Sequence, residues 1–123
     1  MEQLYVFLDD YRAAPEGYVL VTTIDECKKL LKEHDIRHLS LDHDLVSKER
    51  NGMMLVNMMV NEHLYADRIT VHSANAVGGK NMYNSLRQAK TDHKMPLATE
   101  VSLRPLPLHS YPQHMLRHYA VSE

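Results

Sequence analysis

The sequence predicts a single α/β domain whose core is an open parallel sheet with helices packed on both faces. Short apolar runs rich in β-branched and aromatic residues alternate with segments of helical periodicity, and this alternation is typical of parallel sheets. The chain has 123 residues, 44% of them hydrophobic, which suits one domain with one core. We therefore treat residues 1–123 as one domain.

The pattern along the chain places each element. The strands are predicted at residues 4–8, 18–22, 38–41, 68–73 and 99–103. The first helix starts after Thr23, which can act as its N-cap with Glu26 as the partner in a capping box. The remaining helices are predicted at residues 53–64, 80–89 and 113–120.

Charge and composition exclude several classes of partner. The chain carries 14 Lys and Arg residues against 16 Asp and Glu residues, a net charge of −2, and has no basic run that could follow a nucleic-acid backbone. Duplex DNA is therefore not expected as a partner. No apolar stretch approaches the roughly 20 residues that span a bilayer, and the N-terminus lacks the order of a signal peptide. The single cysteine, Cys27, excludes an internal disulfide, so we expect a cytoplasmic protein.

Chemically active residues follow the predicted strands at the points where the strands end. Because the carboxyl ends of parallel strands meet at one edge of a sheet, we expect these side chains to converge there. Without the four aspartates among them, the net charge of −2 would become +2, so the acidic excess of the protein is concentrated at this edge. The converging residues are Asp9, Asp10, Asp42, His43, Asp44, His72, Ser73, Asn75 and Arg104.

Four carboxylates at one edge favour a metal site. Like charges in close proximity raise carboxylate pKa values unless a cation compensates them, and hard oxygen ligands select Mg²⁺ or Mn²⁺. One aspartate at a strand end is as easily a turn former or a helix cap, but four together are better explained by a metal. Two histidines beside them could move protons. The candidate metal ligands are Asp9, Asp10, Asp42 and Asp44.

Three segments of the sequence resemble the motifs of one family. The segments LDDYR, SLDHDL and HSANAVGGKNM are similar to those of the cyclic-phosphate-processing receiver-like family, which is related to the receiver domains of response regulators. The resemblance covers nearly the whole chain and implies a flavodoxin-like or receiver-like sheet of five parallel strands in the order 2-1-3-4-5. Residues 11–17 leave little room for a helix between the first two strands, so we expect the first receiver helix to be shortened or missing.

The resemblance also implies roles for residues at the edge of the sheet. Asp9 and Asp10 would bind a divalent cation, and Asp42 would stand at the phosphoacceptor position, for which Asp44 is the alternative. Ser73 would contact a phosphoryl group, and Arg104-Pro105 stands where receivers have a Lys-Pro pair. The expected substrate-binding residues are Arg12, Ser73, Asn75 and Arg104.

The sequence therefore predicts metal-dependent processing of a cyclic phosphate, either a cyclic nucleotide or an RNA end with a 2′,3′-cyclic phosphate. Mg²⁺ or Mn²⁺ is the expected cofactor. Two alternatives remain: a phosphoacceptor receiver domain in signalling, and a module that binds a cyclic nucleotide without cleaving it. A haloacid-dehalogenase-like phosphatase is less favoured, because its Asp-x-Asp motif normally follows the first strand. The candidate catalytic residues are Asp42, His43, His72 and Arg104.

Overall fold

The computed structural model describes residues 3–45, 50–73 and 75–104. Strands and helices follow one another in the predicted order. The elements are β1 Leu4–Leu8, β2 Val19–Val21, α1 Ile24–Glu33, β3 Ile36–Leu41, α2 Gly52–Glu62, β4 Arg68–Val71, α3 Ala76–Thr91 and β5 Glu100–Leu103. The predicted helix at residues 113–120 and Pro105 lie outside the described residues.

The five strands form one parallel sheet in the order β2-β1-β3-β4-β5, which confirms the predicted fold class. No helix lies between β1 and β2, so the first receiver helix is missing as predicted. The chain passes from β1 to β2 in one direction and then returns across β1 to β3. The topological switch point of the sheet therefore lies between β1 and β3. Ligands of such sheets bind outside the carboxyl ends of the strands at this point.

The three described helices lie on one face of the sheet. The connections from β2 to β3, from β3 to β4 and from β4 to β5 all progress in the same direction, so right-handed crossovers put their helices on the same side. Accordingly, α1 packs against α2 and α2 packs against α3. The expectation of helices on both faces is not met by the described helices, because the short connection between β1 and β2 carries none.

The core lies between this layer of helices and the sheet. Alternate residues of the central strands point into it and are fully buried, as Val6 and Leu8 of β1 and Leu39 and Leu41 of β3 show. Cys27 is also fully buried, and burial raises the pKa of its thiol to about 12, so it is a packed side chain and not a nucleophile. No helix in the described part of the chain is both long and apolar enough to span a membrane.

Two helix starts show how local side chains set the element boundaries. Thr23 caps α1 as predicted, since its hydroxyl accepts a hydrogen bond from the Glu26 N–H at 3.2 Å. The prediction for α3 was wrong at its start: the helix begins at Ala76 and not at residue 80. Asn75 caps it by accepting a hydrogen bond from the Gly78 N–H at 2.8 Å, and this cap outweighs the low helix propensity of the two glycines that follow.

The sheet face opposite the helices carries polar residues that join neighbouring strands. The Tyr18 hydroxyl contacts Nδ1 of His38 at 2.5 Å, and Nε2 of His38 contacts the Thr70 hydroxyl at 2.8 Å. Burial, together with the nearby charge of Arg68, lowers the pKa of His38. This histidine is therefore a neutral structural residue that links the start of β2 to β3 and β4.

Candidate functional site

Three carboxylates meet where the direction of the sheet reverses. Asp9 and Asp10 follow β1, Asp42 follows β3, and one carboxylate oxygen of each lies within 4.8 Å of the others. The parallel register explains the proximity: Leu8 pairs with Leu41, so the residues that follow them emerge side by side. The side chains of Asp9 and Asp42 are almost completely buried. We call these three residues the carboxylate cluster.

Asp9 is held as a carboxylate by several donors. Its Oδ1 accepts hydrogen bonds from the backbone N–H groups of Tyr11 at 2.8 Å and Arg12 at 3.0 Å. Its Oδ2 forms an ion pair with the Arg12 guanidinium and a hydrogen bond with Nε2 of His72 at 3.2 Å. Burial alone would raise the pKa of Asp9, but these hydrogen bonds and the Arg12 charge together lower it.

Asp42 is also buried, but it lacks the donors that stabilise the charge of Asp9. Neither of its carboxylate oxygens has a hydrogen-bond partner among the described residues. Burial, followed by the charge of Asp9, raises the pKa of Asp42 to about 8. Arg12 and the Ser73 hydroxyl act in the lowering direction without compensating, and the Ser73 hydroxyl does not reach hydrogen-bond geometry with the carboxylate. Two buried acceptors without donors are costly unless another group binds them.

The carboxylate cluster fits a divalent cation. Its candidate ligand atoms are all carboxylate oxygens, and their spacing lets one ion contact all three residues. The two oxygens of Asp42 are buried and have no hydrogen-bond partner among the described residues. Asp9, Asp10 and Asp42 could therefore hold the metal. The structure does not bring Asp44 into this group.

Asp44 belongs to a second group together with His43 and Asn75. Nδ1 of His43 lies 2.6 Å from Oδ1 of Asp44, and the Asn75 side-chain amide donates to both oxygens of the same carboxylate at 3.3 Å. Asn75 is also the cap of α3, so the start of this helix holds Asp44 in place. The carboxylate in turn fixes the orientation of the His43 ring.

His72 supports the carboxylate cluster from inside the protein. It is almost completely buried, its Nδ1 contacts the Ser40 hydroxyl at 2.6 Å, and its Nε2 contacts Asp9. Its ring stacks on Phe7 with the centroids 4.4 Å apart. Burial is the main cause that lowers the pKa of His72, although Asp9 acts in the opposite direction. A neutral ring that donates from Nε2 to Asp9 and accepts from Ser40 at Nδ1 satisfies both contacts.

The four predicted substrate-binding residues lie in different surroundings. Asn75 caps α3 and donates to Asp44, as described above. Arg12 pairs with Asp9 inside the carboxylate cluster, and Ser73 is buried beside Asp42. Arg104 follows β5, where its backbone N–H donates to the Val71 carbonyl at 2.9 Å. Its side chain is exposed and makes no ion pair with any carboxylate in the described part of the chain. The structure thus brings Arg12 and Ser73 to the carboxylate cluster but not Arg104.

Two glycines that sequence reasoning did not assign a role shape the site. A Cβ at Gly52 would lie 2.1 Å from the carbonyl oxygen of Asp42, and the Gly52 N–H donates to the His43 carbonyl at 2.9 Å. A Cβ at Gly78 would lie 2.5 Å from Cγ of His43. Both glycines occupy the first turn of a helix, where Gly has low propensity, and that mismatch was the available signal.

Replacing Asp42 by Asn should stabilise the metal-free protein at pH 8. The folded-state pKa lies above the ordinary value of 3.8, so the wild type loses stability as pH rises from about 4 toward 8, and the neutral amide removes this loss. We expect a higher Tm for Asp42→Asn at pH 8, by about 3–5 °C for each kcal/mol regained, and little advantage at pH 4.

Added Mg²⁺ or Mn²⁺ should raise the Tm of the wild type and not that of Asp42→Asn, because the variant lacks one ligand. Thermal unfolding in chelator and in metal at both pH values measures the two effects. A variant that is less stable than the wild type at pH 8 in chelator would contradict the assigned environment of Asp42.

The glycines of α3 offer a matched pair of substitutions. A Cβ at Gly79 meets no atom closer than 3.6 Å, so Gly79→Ala should stabilise the helix by about 1 kcal/mol. Gly78→Ala should lose this gain and displace the His43 ring. Thermal unfolding together with NMR of the His43 ring protons distinguishes the variants, and equal stabilisation with an unmoved His43 would contradict the contact.

Comparison with known proteins agrees with this arrangement. The sequence model of the family described as cyclic-phosphate processing receiver domain matches residues 4–88. The matched range includes the carboxylate cluster, His43, Asp44 and His72, and ends before β5 and Arg104. No curated protein matches the chain. With more than half of its length matched, and with the sheet order and the carboxylates in place, the chain belongs to the family of cyclic-phosphate processing receiver domains.

Proposed function

We propose that this protein is a metal-dependent phosphoesterase that opens a cyclic phosphate, carried by a cyclic nucleotide or by an RNA end with a 2′,3′-cyclic phosphate. The observation that carries the proposal is the carboxylate cluster with the unpartnered oxygens of Asp42, next to the His43–Asp44 pair. Membership in the cyclic-phosphate processing family supports the substrate class. The cofactor would be Mg²⁺ or Mn²⁺, chosen for oxygen ligands.

Several groups of the site are suited to a phosphate diester. A bound divalent cation would supply charge neutralisation for the phosphate oxygens. The Ser73 hydroxyl, which is buried beside Asp42, would donate a hydrogen bond to one of these oxygens. The Arg12 guanidinium adds positive charge at the same place, since it pairs with Asp9 within the carboxylate cluster.

Of the two histidines, His43 suits proton transfer better. When Nδ1–H donates to Asp44, Nε2 has a lone pair that can take a proton from an attacking water. The ring is only partly buried, so it can exchange protons with solvent. His72 is buried, and both of its nitrogens are engaged by Ser40 and Asp9. We therefore assign proton transfer to His43 and the positioning of Asp9 to His72.

The reaction balances with water as the only co-reactant. The water oxygen forms a bond to phosphorus, and one phosphorus–oxygen bond of the ring breaks. His43 takes the proton of the water and returns a proton to the departing ribose oxygen. The product is a phosphate monoester with a free hydroxyl group, and the enzyme regains its starting protonation state.

Turnover of cyclic nucleotides tests the proposal. Purified protein is incubated with 2′,3′- and 3′,5′-cyclic nucleotides and with an RNA bearing a 2′,3′-cyclic phosphate end, each with Mg²⁺ or Mn²⁺. We expect His43→Ala to lower kcat by about 10²–10⁴-fold, as the loss of a general acid–base group does. His72→Ala should mainly raise the metal concentration needed for half-maximal rate, because it loosens a metal ligand.

The exposed His34 provides the control. It lies between α1 and the start of β3, so His34→Ala removes an imidazole at the end of the sheet opposite the carboxylate cluster. The proposal fails if no substrate is consumed faster than in Asp42→Asn. Tight binding of a cyclic nucleotide that is recovered unchanged would instead identify a binding module.

A phosphoacceptor receiver is the second candidate, favoured by the Ser73 hydroxyl beside the buried Asp42. In that case a small phosphodonor such as acetyl phosphate should add one phosphoryl group to the wild type in the presence of Mg²⁺, and none to Asp42→Asn. Intact-mass measurement with Asp44→Asn as the matched control decides between the two carboxylates. An unmodified wild type that nevertheless hydrolyses cyclic phosphate would exclude this candidate.

A further inference from the structure

A cavity of about 320 Å³ opens beside the carboxylate cluster. Asp10 belongs both to the carboxylate cluster and to the wall of this cavity, which links the two spaces directly. The end of β2, the first turn of α1 and the residues after β3 supply the rest of the wall. Its main lining residues are Asp10, Thr22, Ile24, Asp25, Leu45 and Arg50. We call this space the side cavity.

We infer that the side cavity binds the nucleoside next to the cyclic phosphate, that is, one base with its ribose. This inference rests on the proposed function, since it concerns the substrate of the same site. The side cavity adjoins the carboxylate cluster at Asp10. When the cluster holds the phosphate of a substrate, the side cavity is therefore the adjoining space for the rest of that substrate.

The volume of the side cavity limits the ligand to one nucleoside. Pockets for small molecules range from about 300 to 1,000 Å³, and 320 Å³ lies at the lower end of this range. One base with its ribose is the size of ligand that such a space accepts, whereas the second nucleoside of a cyclic dinucleotide would remain in solvent. The substrate is therefore a mononucleotide or the terminal nucleotide of a strand.

The surfaces of the side cavity suit the flat face of a base. Ile24 and Leu45 are buried residues that supply an apolar floor. Arg50 is half-exposed, and its guanidinium is held by two contacts with Asp25, Nε to Oδ2 at 3.1 Å and Nη2 to Oδ1 at 2.5 Å. A guanidinium fixed in this way offers a flat cationic face on which a base can stack.

The charges at the side cavity disfavour a second phosphate. The Asp25 carboxylate pairs with Arg50 and neutralises its charge. An anionic group entering the cavity would meet the Asp25 carboxylate and no second cation among the described lining residues, whereas a neutral base meets the guanidinium face and the apolar floor. Charge and shape together select a nucleoside over a pyrophosphate or a second nucleotide.

Calorimetry with ligands that cannot be turned over tests the inference on the full chain. The ligands are adenosine 3′-monophosphate and inorganic phosphate, each titrated in the presence of Mg²⁺. The difference between their Kd values isolates the contribution of the nucleoside. We expect Arg50→Gln to weaken binding of adenosine 3′-monophosphate by about 3- to 30-fold and to leave the Kd of phosphate unchanged.

A second variant and a matched control keep the test decisive. Thr22 is exposed, so Thr22→Phe can fill the side cavity without disturbing the core, and it should remove the advantage of the nucleotide over phosphate. Arg37 is another exposed arginine paired with an aspartate, since its Nη1 lies 3.6 Å from Oδ2 of Asp67. This pair lies at the amino ends of β3 and β4, away from the carboxylate cluster. Arg37→Gln should change neither Kd.

The outcomes separate this inference from the proposed function. Phosphate that binds to the wild type and not to Asp42→Asn supports the proposed site. Equal Kd values for phosphate and the nucleotide, or a nucleotide advantage that survives both Arg50→Gln and Thr22→Phe, overturn the side cavity alone. A wild type that binds neither ligand overturns both. A trinucleotide with a 3′-phosphate end that binds more tightly than the mononucleotide assigns the RNA end, and weaker binding assigns the free nucleotide.

Discussion

The buried carboxylate of Asp42 is the constraint on which the rest of the site depends. Strand register forces it beside Asp9, because β1 and β3 pair up to their last residues. Arg12, His72 and two backbone N–H groups compensate Asp9, and no comparable group in the described part of the chain reaches the oxygens of Asp42. The fold therefore stores an unfavourable interaction at the switch point of the sheet, and a cation is the kind of ligand that relieves it.

The surrounding elements pack closely against this arrangement. On the helix side, α2 and α3 begin so close to the strand ends that only glycine fits at positions 52 and 78. On the opposite face of the sheet, the buried ring of His72 contacts Asp9, stacks on Phe7 and binds the Ser40 hydroxyl. His72 thus supports Asp9 from within the sheet, whereas His43 pairs with Asp44 at a partly exposed position.

The strands could be predicted from the periodicity of the sequence, the strand order from the resemblance to receiver domains, and the carboxylate cluster from the positions of aspartates at the strand ends. Apolar runs identify the strands, and residues that follow paired strands must converge. None of these features predicts where a side chain points once the chain has left the strand. The sequence could therefore not show that Asp44 turns away from the cluster toward Asn75, that Arg104 remains exposed, or that His72 is buried while His43 is not.

The electrostatics of the carboxylate cluster make the binding of a phosphate depend on a cation. Asp9, Asp10 and Asp42 present up to three negative charges, and among them Arg12 compensates mainly Asp9. An anionic phosphate approaching this edge without a cation would meet repulsion at short range, in a buried setting where screening by solvent is weak. A divalent cation reverses the sign of the local field for the phosphate. If the cluster holds a metal, the cation must therefore bind before the phosphate or together with it. The same carboxylates that repel the free phosphate would then hold the cation that binds it.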